Sequence, residues 1–64
     1  MNNRKKAFLT YDFSNEDHRK IVIYLKERGY SVFRTSVDIS SPCLRIGMKE
    51  IYGTNEIKNY LFTQ

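Results

Sequence analysis

Residues 5–33 read KKAFLTYDFSNEDHRKIVIYLKERGYSVF, and this stretch predicts a strand, a helix and the start of a second strand. Lys5–Asp12 is a short apolar run rich in strand-forming residues, which predicts strand one. Ser14 followed by acidic residues is typical of a helix start, and Gly29 of a helix end. We therefore predict a helix over residues 15–28. Four residues recur at helical spacing and form its buried face: His18, Ile21, Val22 and Leu25.

The second half of the chain alternates between apolar and polar residues. Tyr30–Ile39 predicts strand two, and Cys43–Lys49 predicts strand three. The turn residues Ser40, Ser41 and Pro42 separate the two runs, so we expect a hairpin between strands two and three. A second helix is predicted from about residue 55 to the end, because apolar residues return there at helical spacing. In strand two the pattern assigns Phe33, Thr35, Val37 and Ile39 to the buried side.

These elements predict one α+β domain over residues 1–64, with residues 1–4 as a flexible basic N-terminus. The element order is βαββα, with two helices packed on one face of a three-stranded sheet. The opposite face is expected to be polar and to carry Arg34, Ser36, Asp38, Arg45 and Lys49. Because both sheet edges are open, a homodimer is one arrangement that this fold permits.

The composition argues against several classes of protein: strongly basic nucleic-acid binders, disulfide-rich and zinc-binding domains, and membrane proteins. The chain has 64 residues, 11 Lys+Arg and 7 Asp+Glu. Arg4, Lys5 and Lys6 carry three of the positive charges, so eight cations face seven acids elsewhere and the nucleic-acid signal is weak. One cysteine excludes an internal disulfide, and one cysteine with one histidine predicts no zinc site. No apolar run reaches about 18 residues and no signal-peptide core is present, so we expect a cytoplasmic protein that does not enter a membrane.

The search for catalytic groups finds little. No glycine-rich phosphate loop is present, so we predict no cofactor and a carrier or binding protein rather than a turnover enzyme. Asp12, Glu16 and Asp17 are interpreted as acids that favour a helix N-terminus rather than as metal ligands. His18 is interpreted as a core histidine, since no second catalytic group lies at a suitable spacing. The nine aromatic rings are assigned mainly to the core and its rim.

Cys43 is the main candidate for chemistry. It follows the turn at residues 40–42, and Arg45 lies two residues further on, on the same side if the strand begins at once. A thiol near a guanidinium can form a reactive thiolate. The alternative is a small apolar side chain that fills a gap in the packing.

The segment Thr35-Ser-Val-Asp-Ile-Ser-Ser-Pro-Cys-Leu44 resembles a motif of the small selenium/sulfur carrier proteins. Ile39, Ser40 and Cys43 match that motif, whereas Ser36-Val37 and Leu44 stand where the family has Pro-Arg and Gly. The resemblance implies a βαββα domain in which a loop cysteine, here Cys43, carries a persulfide or selenide between a donor protein and an acceptor protein.

In this hypothesis Ser40 and Ser41 hydrogen-bond the anionic sulfur, and Arg34 or Arg45 stabilises the thiolate. The alternative is a non-enzymatic binding module, similar to half of a ferredoxin-like fold, that uses a sheet edge or the polar face. Its partner would be a protein or a nucleic acid, with Arg34, Arg45 and Lys49 as the contacting cations.

Overall fold

The computed structural model describes residues 5–63, so the predicted flexible segment 1–4 lies outside the described residues. It confirms the α+β class and both helices, but the sheet has four strands where three were predicted. The elements, in chain order, are β1 (Lys6–Tyr11), α1 (Glu16–Glu27), β2 (Ser31–Ser36), β3 (Cys43–Ile46), β4 (Lys49–Tyr52) and α2 (Thr54–Phe62).

The additional strand arises from a turn inside the predicted third strand. Gly47 has a φ of +60°, and among the described residues only glycines have a positive φ. A two-residue turn with positive φ only at its first position is a type II′ turn, whose twist suits an antiparallel hairpin. Ile46 therefore pairs with Lys49, and Met48 lies at the exposed tip of the turn. The prediction of one strand over residues 43–49 was wrong because the apolar alternation continues through this turn.

The strand order is β2-β1-β3-β4. β1 is parallel to β2 and antiparallel to β3, and β3 is antiparallel to β4. The predicted hairpin between strands two and three is therefore wrong. β2 ends at the same end of the sheet as β1, so the segment between β2 and β3 only has to cross the end of β1. The Val37 N–H donates to the Tyr11 carbonyl (2.8 Å), and the Gly53 N–H donates to the Pro42 carbonyl (2.9 Å), at the start and the end of this crossing.

Both helices cover one face of the sheet, and the core lies between the helices and the sheet. The predicted stripe of α1 is confirmed, since His18, Ile21, Val22 and Leu25 are all buried. The helices and the sheet together bury ten hydrophobic residues: Ala7, Leu9, Tyr11, Ile21, Val22, Leu25, Tyr30, Leu44, Ile57 and Leu61. Each large aliphatic side chain in this set contributes roughly 1.5–3 kcal/mol by leaving water.

The start of α1 differs by one residue from the capping prediction. Asn15, not Ser14, is the N-cap, because its side-chain oxygen accepts from the backbone N–H groups of Asp17 (2.9 Å) and His18 (3.3 Å). The Ser14 hydroxyl instead donates to the Asp12 carboxylate (2.7 Å). The His18 ring is buried, and its Nδ1 accepts from the Asp12 N–H (3.1 Å), which confirms the interpretation of His18 as a core histidine.

Candidate functional site

The sheet face on which neither α1 nor α2 packs is here called the open face. The strand registers place four pairs of side chains on it: Phe8 and Thr10 from β1, Phe33 and Thr35 from β2, Cys43 and Arg45 from β3, and Glu50 and Tyr52 from β4. Ala7, Leu9 and Tyr11 alternate with the β1 pair and are buried under the helices. Three exposed aromatic rings, those of Phe8, Phe33 and Tyr52, therefore lie on the open face.

The predicted orientation of β2 was wrong. Phe33 was assigned to the buried side and Arg34 to the polar face, but Phe33 is 48% exposed and Val32 packs against the core instead. Phe33 pairs with Phe8, so both rings lie on the open face, and Arg34 pairs with Leu9 on the helix side. A shift of one residue moves every side chain of a strand to the other face, and an alternating pattern with polar and apolar residues on both sides does not fix that choice.

Two phenylalanine rings and one guanidinium form a continuous row across the open face. The rings of Phe8 and Phe33 are stacked, with centroids 5.1 Å apart and planes at 19°. On the other side of Phe8, the Arg45 guanidinium carbon lies 5.6 Å from the ring centroid. The Phe8 ring is thus flanked by Phe33 on one side and Arg45 on the other, although 42% of the residue is exposed. Phe33 belongs to the edge strand, so no described strand lies on its other side.

Cations surround the Phe8 end of this row. A shallow depression there is lined by Lys5, Lys6, Phe8, Arg45, Ile46 and Gly47, and no carboxylate is among these residues. The nearest acid in register is Glu50, opposite Arg45. Its carboxylate accepts a hydrogen bond from the Tyr52 hydroxyl (2.7 Å). The depression is therefore positively charged and partly apolar, a combination that suits an anion attached to a flat ring.

Cys43 is the first residue of β3 rather than a residue of a loop. It is half-buried, it is a free cysteine, and it lies in register between Thr10 and Tyr52. The strand begins at Cys43, so the side chains of Cys43 and Arg45 share the open face. The sequence predicted a shared side on the condition that the strand begins at Cys43. The hydrogen bond to Glu50 and the charge of that carboxylate raise the pKa of Tyr52 to about 12, with a smaller contribution from Cys43. Tyr52 is therefore a neutral hydroxyl at ordinary pH.

The structure brings only part of the predicted sulfur site together. Cys43 and Arg45 are on one face, and the exposed residues Ser40 and Ser41 lie in the crossing segment, separated from Cys43 by the buried Pro42. Arg34 is on the other side of the sheet, among residues that include Val22 of α1. The predicted support of the thiolate by Arg34 is therefore not provided by this fold.

Sequence reasoning missed Phe8, Phe33 and Tyr52 as surface residues. A signal was present in β1, where Phe8 shares its parity with Lys6 and Thr10 while the alternate residues are Ala7 and Leu9. Two polar neighbours at i−2 and i+2 favour the solvent face for Phe8. The parallel pairing then carries this assignment to Phe33; the order strand, helix, strand favours such a pairing, but the sequence does not give its register.

No family model matches the chain, and no curated protein matches it in sequence. Within residues 5–63, no helix has the length and apolar character to cross a membrane. The same residues contain no cluster of three or more histidine, cysteine or acidic side chains that could hold a metal ion. The resemblance to the selenium/sulfur carriers therefore stays a prediction, and the open face is interpreted from its own chemistry.

Proposed function

We propose that this protein is a small, non-enzymatic binding module that holds a single-stranded nucleic acid on its open face. The observation that supports this proposal is the exposed stacked pair of Phe8 and Phe33, continued by the Arg45 guanidinium. A pair of large rings in water is costly for a domain of this size, and it is the feature that a base-stacking surface requires.

The chemistry of the row suits a nucleotide chain. A base stacks on the free side of Phe33, and each base stacked on an aromatic ring contributes about 1–3 kcal/mol whatever its identity. Phosphates contact Lys5, Lys6 and Arg45 beside Phe8. Bases in a duplex are already stacked on one another, so a single strand is the form that can use the rings.

The test is a titration of fluorescently labelled oligouridylate, oligothymidylate and a duplex of equal length, followed by anisotropy at several salt concentrations. With three phosphate contacts, the slope of log K against log salt is expected to be about −2 for the single strands. Phe33→Ala is expected to weaken binding by about 5- to 150-fold. Phe8→Ala is expected to weaken it less, because Phe33 and Arg45 already occupy both sides of the Phe8 ring.

The matched control is Phe62→Ala, since Phe62 is a similarly exposed phenylalanine on the helix side of the molecule. It should leave oligonucleotide affinity unchanged. Equal affinity for duplex and single strand, or an unaltered affinity in Phe33→Ala, would contradict base stacking on the open face. Absence of binding at low salt would remove the nucleic-acid proposal altogether.

A sulfur or selenium carrier is the second candidate that we propose, and it is supported by the half-buried Cys43 on the same face as Arg45. The Cys43 thiolate would attack the terminal sulfur of a donor protein's persulfide, forming a new S–S bond while the donor's S–S bond breaks and the donor leaves as a thiolate. An acceptor thiolate then takes the terminal sulfur and regenerates the Cys43 thiolate. No oxidant or reductant is consumed.

The carrier candidate is tested by incubating native protein with a persulfide donor and measuring its mass. A gain of one sulfur atom, absent in Cys43→Ser, is the expected result. A native thiol that stays unmodified, and that is alkylated only after unfolding, would identify Cys43 as a packing residue. Under the nucleic-acid proposal, Cys43→Ser leaves oligonucleotide affinity unchanged.

A further inference from the structure

Among residues 5–63, no strand pairs with the outer side of the edge strand β2. The N–H groups of Ser31 and Val37 donate to the carbonyls of Lys5 and Tyr11, both at 2.8 Å. Since alternate residues of a strand face the same neighbour, Phe33 also faces β1. The backbone groups of the residues between them therefore face away from β1, toward an edge where no described strand lies. These residues are Val32, Arg34 and Ser36.

Of the features that usually prevent strand addition, β2 has one, the charged side chain of Arg34. β2 has six residues in continuous register, without a proline or a bulge. The opposite edge strand, β4, has four residues, two of which are the charged Lys49 and Glu50. β2 is therefore the edge that offers the longer regular row of donors and acceptors.

A basic groove runs beside this edge on the helix side. Arg19, Lys26 and Arg34 line it together with the apolar residues Tyr11, Phe13, Val22 and Ile23, and no carboxylate is among the lining residues. Two of the apolar side chains are well exposed, Phe13 at 57% and Ile23 at 54%. Arg19 is held in place, because its Nη1 donates to the Phe13 carbonyl (2.6 Å) and its guanidinium lies over the Phe13 ring.

We infer that the β2 edge binds an extended acidic segment of a partner protein, which adds to the sheet as a fifth strand and places alternate carboxylate side chains beside Arg19, Lys26 and Arg34. Main-chain hydrogen bonds to Val32, Arg34 and Ser36 supply affinity, and the groove supplies the preference for acidic side chains. The groove lies on the helix side of the sheet and the row of Phe8, Phe33 and Arg45 lies on the open face, but an added strand would also pass the free side of Phe33, so peptide and nucleic acid are expected to compete there.

Charge distinguishes this occupant from two others. A second copy of the chain paired through β2 would bring two sets of the three cations to one edge, which is unfavourable. A nucleic acid would satisfy the cations but lacks the alternating N–H and C=O groups that continue a strand ladder. An acidic extended peptide satisfies both the backbone and the charges.

The test uses a labelled synthetic peptide of alternating valine and glutamate, long enough to match β2, and the same peptide with lysine at every glutamate position. The acidic peptide is expected to bind the whole chain and the lysine peptide is not. Bound acidic peptide should slow hydrogen exchange at the amides of Val32, Arg34 and Ser36, and leave that of Phe33 unchanged. Arg34→Glu should weaken binding about tenfold, while Lys20→Glu, a charge reversal on the exposed side of α1, should not.

A third peptide separates strand addition from simple charge attraction. The acidic peptide methylated at every backbone nitrogen keeps its charges but cannot donate hydrogen bonds to an edge strand, so it should not bind. Equal binding of the methylated peptide, or no binding of the acidic peptide at low salt, would overturn the inference. Dimerisation that protects the same three amides, or an oligonucleotide that binds in place of the peptide and is lost in Arg34→Glu, would overturn it as well. Arg45→Ala tests the open face alone, because Arg45 lies on β3, two strands away from β2, so the two proposals fail independently.

Discussion

The face assignment of β3 can be tested by comparing two neighbouring substitutions, Leu44→Ala and Cys43→Ala. Leu44 has no exposed surface, and in register it lies between Leu9 of β1 and Ile51 of β4 on the helix side of the sheet. Truncation of a fully buried leucine costs about 3–5 kcal/mol, because transfer energy is lost and a cavity is left. A chain of this length has a total stability of roughly 3–10 kcal/mol. Leu44→Ala is therefore expected to remove about a third or more of the free energy of unfolding.

Cys43 points to the open face and is half-buried, so Cys43→Ala is expected to cost about 1 kcal/mol or less. Urea unfolding followed by circular dichroism at 25 °C measures the change in the free energy of unfolding for both variants. The comparison requires that the slope of this free energy against urea concentration is the same as for the wild type. If Cys43→Ala costs as much as Leu44→Ala, β3 has the opposite orientation. Arg45 would then leave the open face, and both functional proposals would lose their supporting geometry.

Three local features give further predictions. Glu50→Gln is expected to lower the pKa of Tyr52 from about 12 toward 10.0, which carbon NMR of the tyrosine ring measures. Because the pKa of Tyr52 is raised on folding, the hydrogen bond to Glu50 stabilises the fold fully below pH 10, and this stabilisation is lost as the pH rises through 12. Between pH 10 and 12 the wild type should therefore lose more free energy of unfolding than Glu50→Gln. Gly47→Ala is expected to cost about 1–2 kcal/mol, since Gly47 has positive φ but open space around it, and Gly47→Asn should cost less in the same urea experiment. Asn15→Ala is expected to cost about 1 kcal/mol and Ser14→Ala less; the reverse order would return the N-cap to Ser14.

The elements whose signals are local were predicted well. Helix α1 has its apolar stripe, its acidic first turn and a glycine after its end within one short stretch, and its bounds differ from the prediction by one residue at each end. Helix α2 was found from the spacing of Ile57 and Leu61, both of which are buried. The first strand was found because it is a compact apolar run. Each of these signals depends on neighbours within a few residues along the chain.

The features that failed depend on pairing between distant segments. The turn residues between β2 and β3 predicted that these strands pair with each other, but β1 lies between them in the sheet. Gly47 was assigned to a strand because Leu44, Ile46 and Met48 keep the period of two through the turn. Recognition of the turn needs the positive φ of Gly47, and the sequence alone allows glycine in either conformation.

The orientation of β2 has the largest effect on function, because Phe33 and Arg34 are consecutive residues on an edge strand. In the observed register the ring lies on the open face and the guanidinium lies beside α1. A slip of one residue would bury Phe33 and move Arg34 beside Phe8, which would remove the stacked pair and the basic groove together. The register is held at both ends, because Tyr30 is buried before β2 and the Val37 N–H donates to Tyr11 after it. The burial of Tyr30 and the hydrogen bond from Val37 to Tyr11 thus act together to keep Phe33 on the open face and Arg34 in the basic groove.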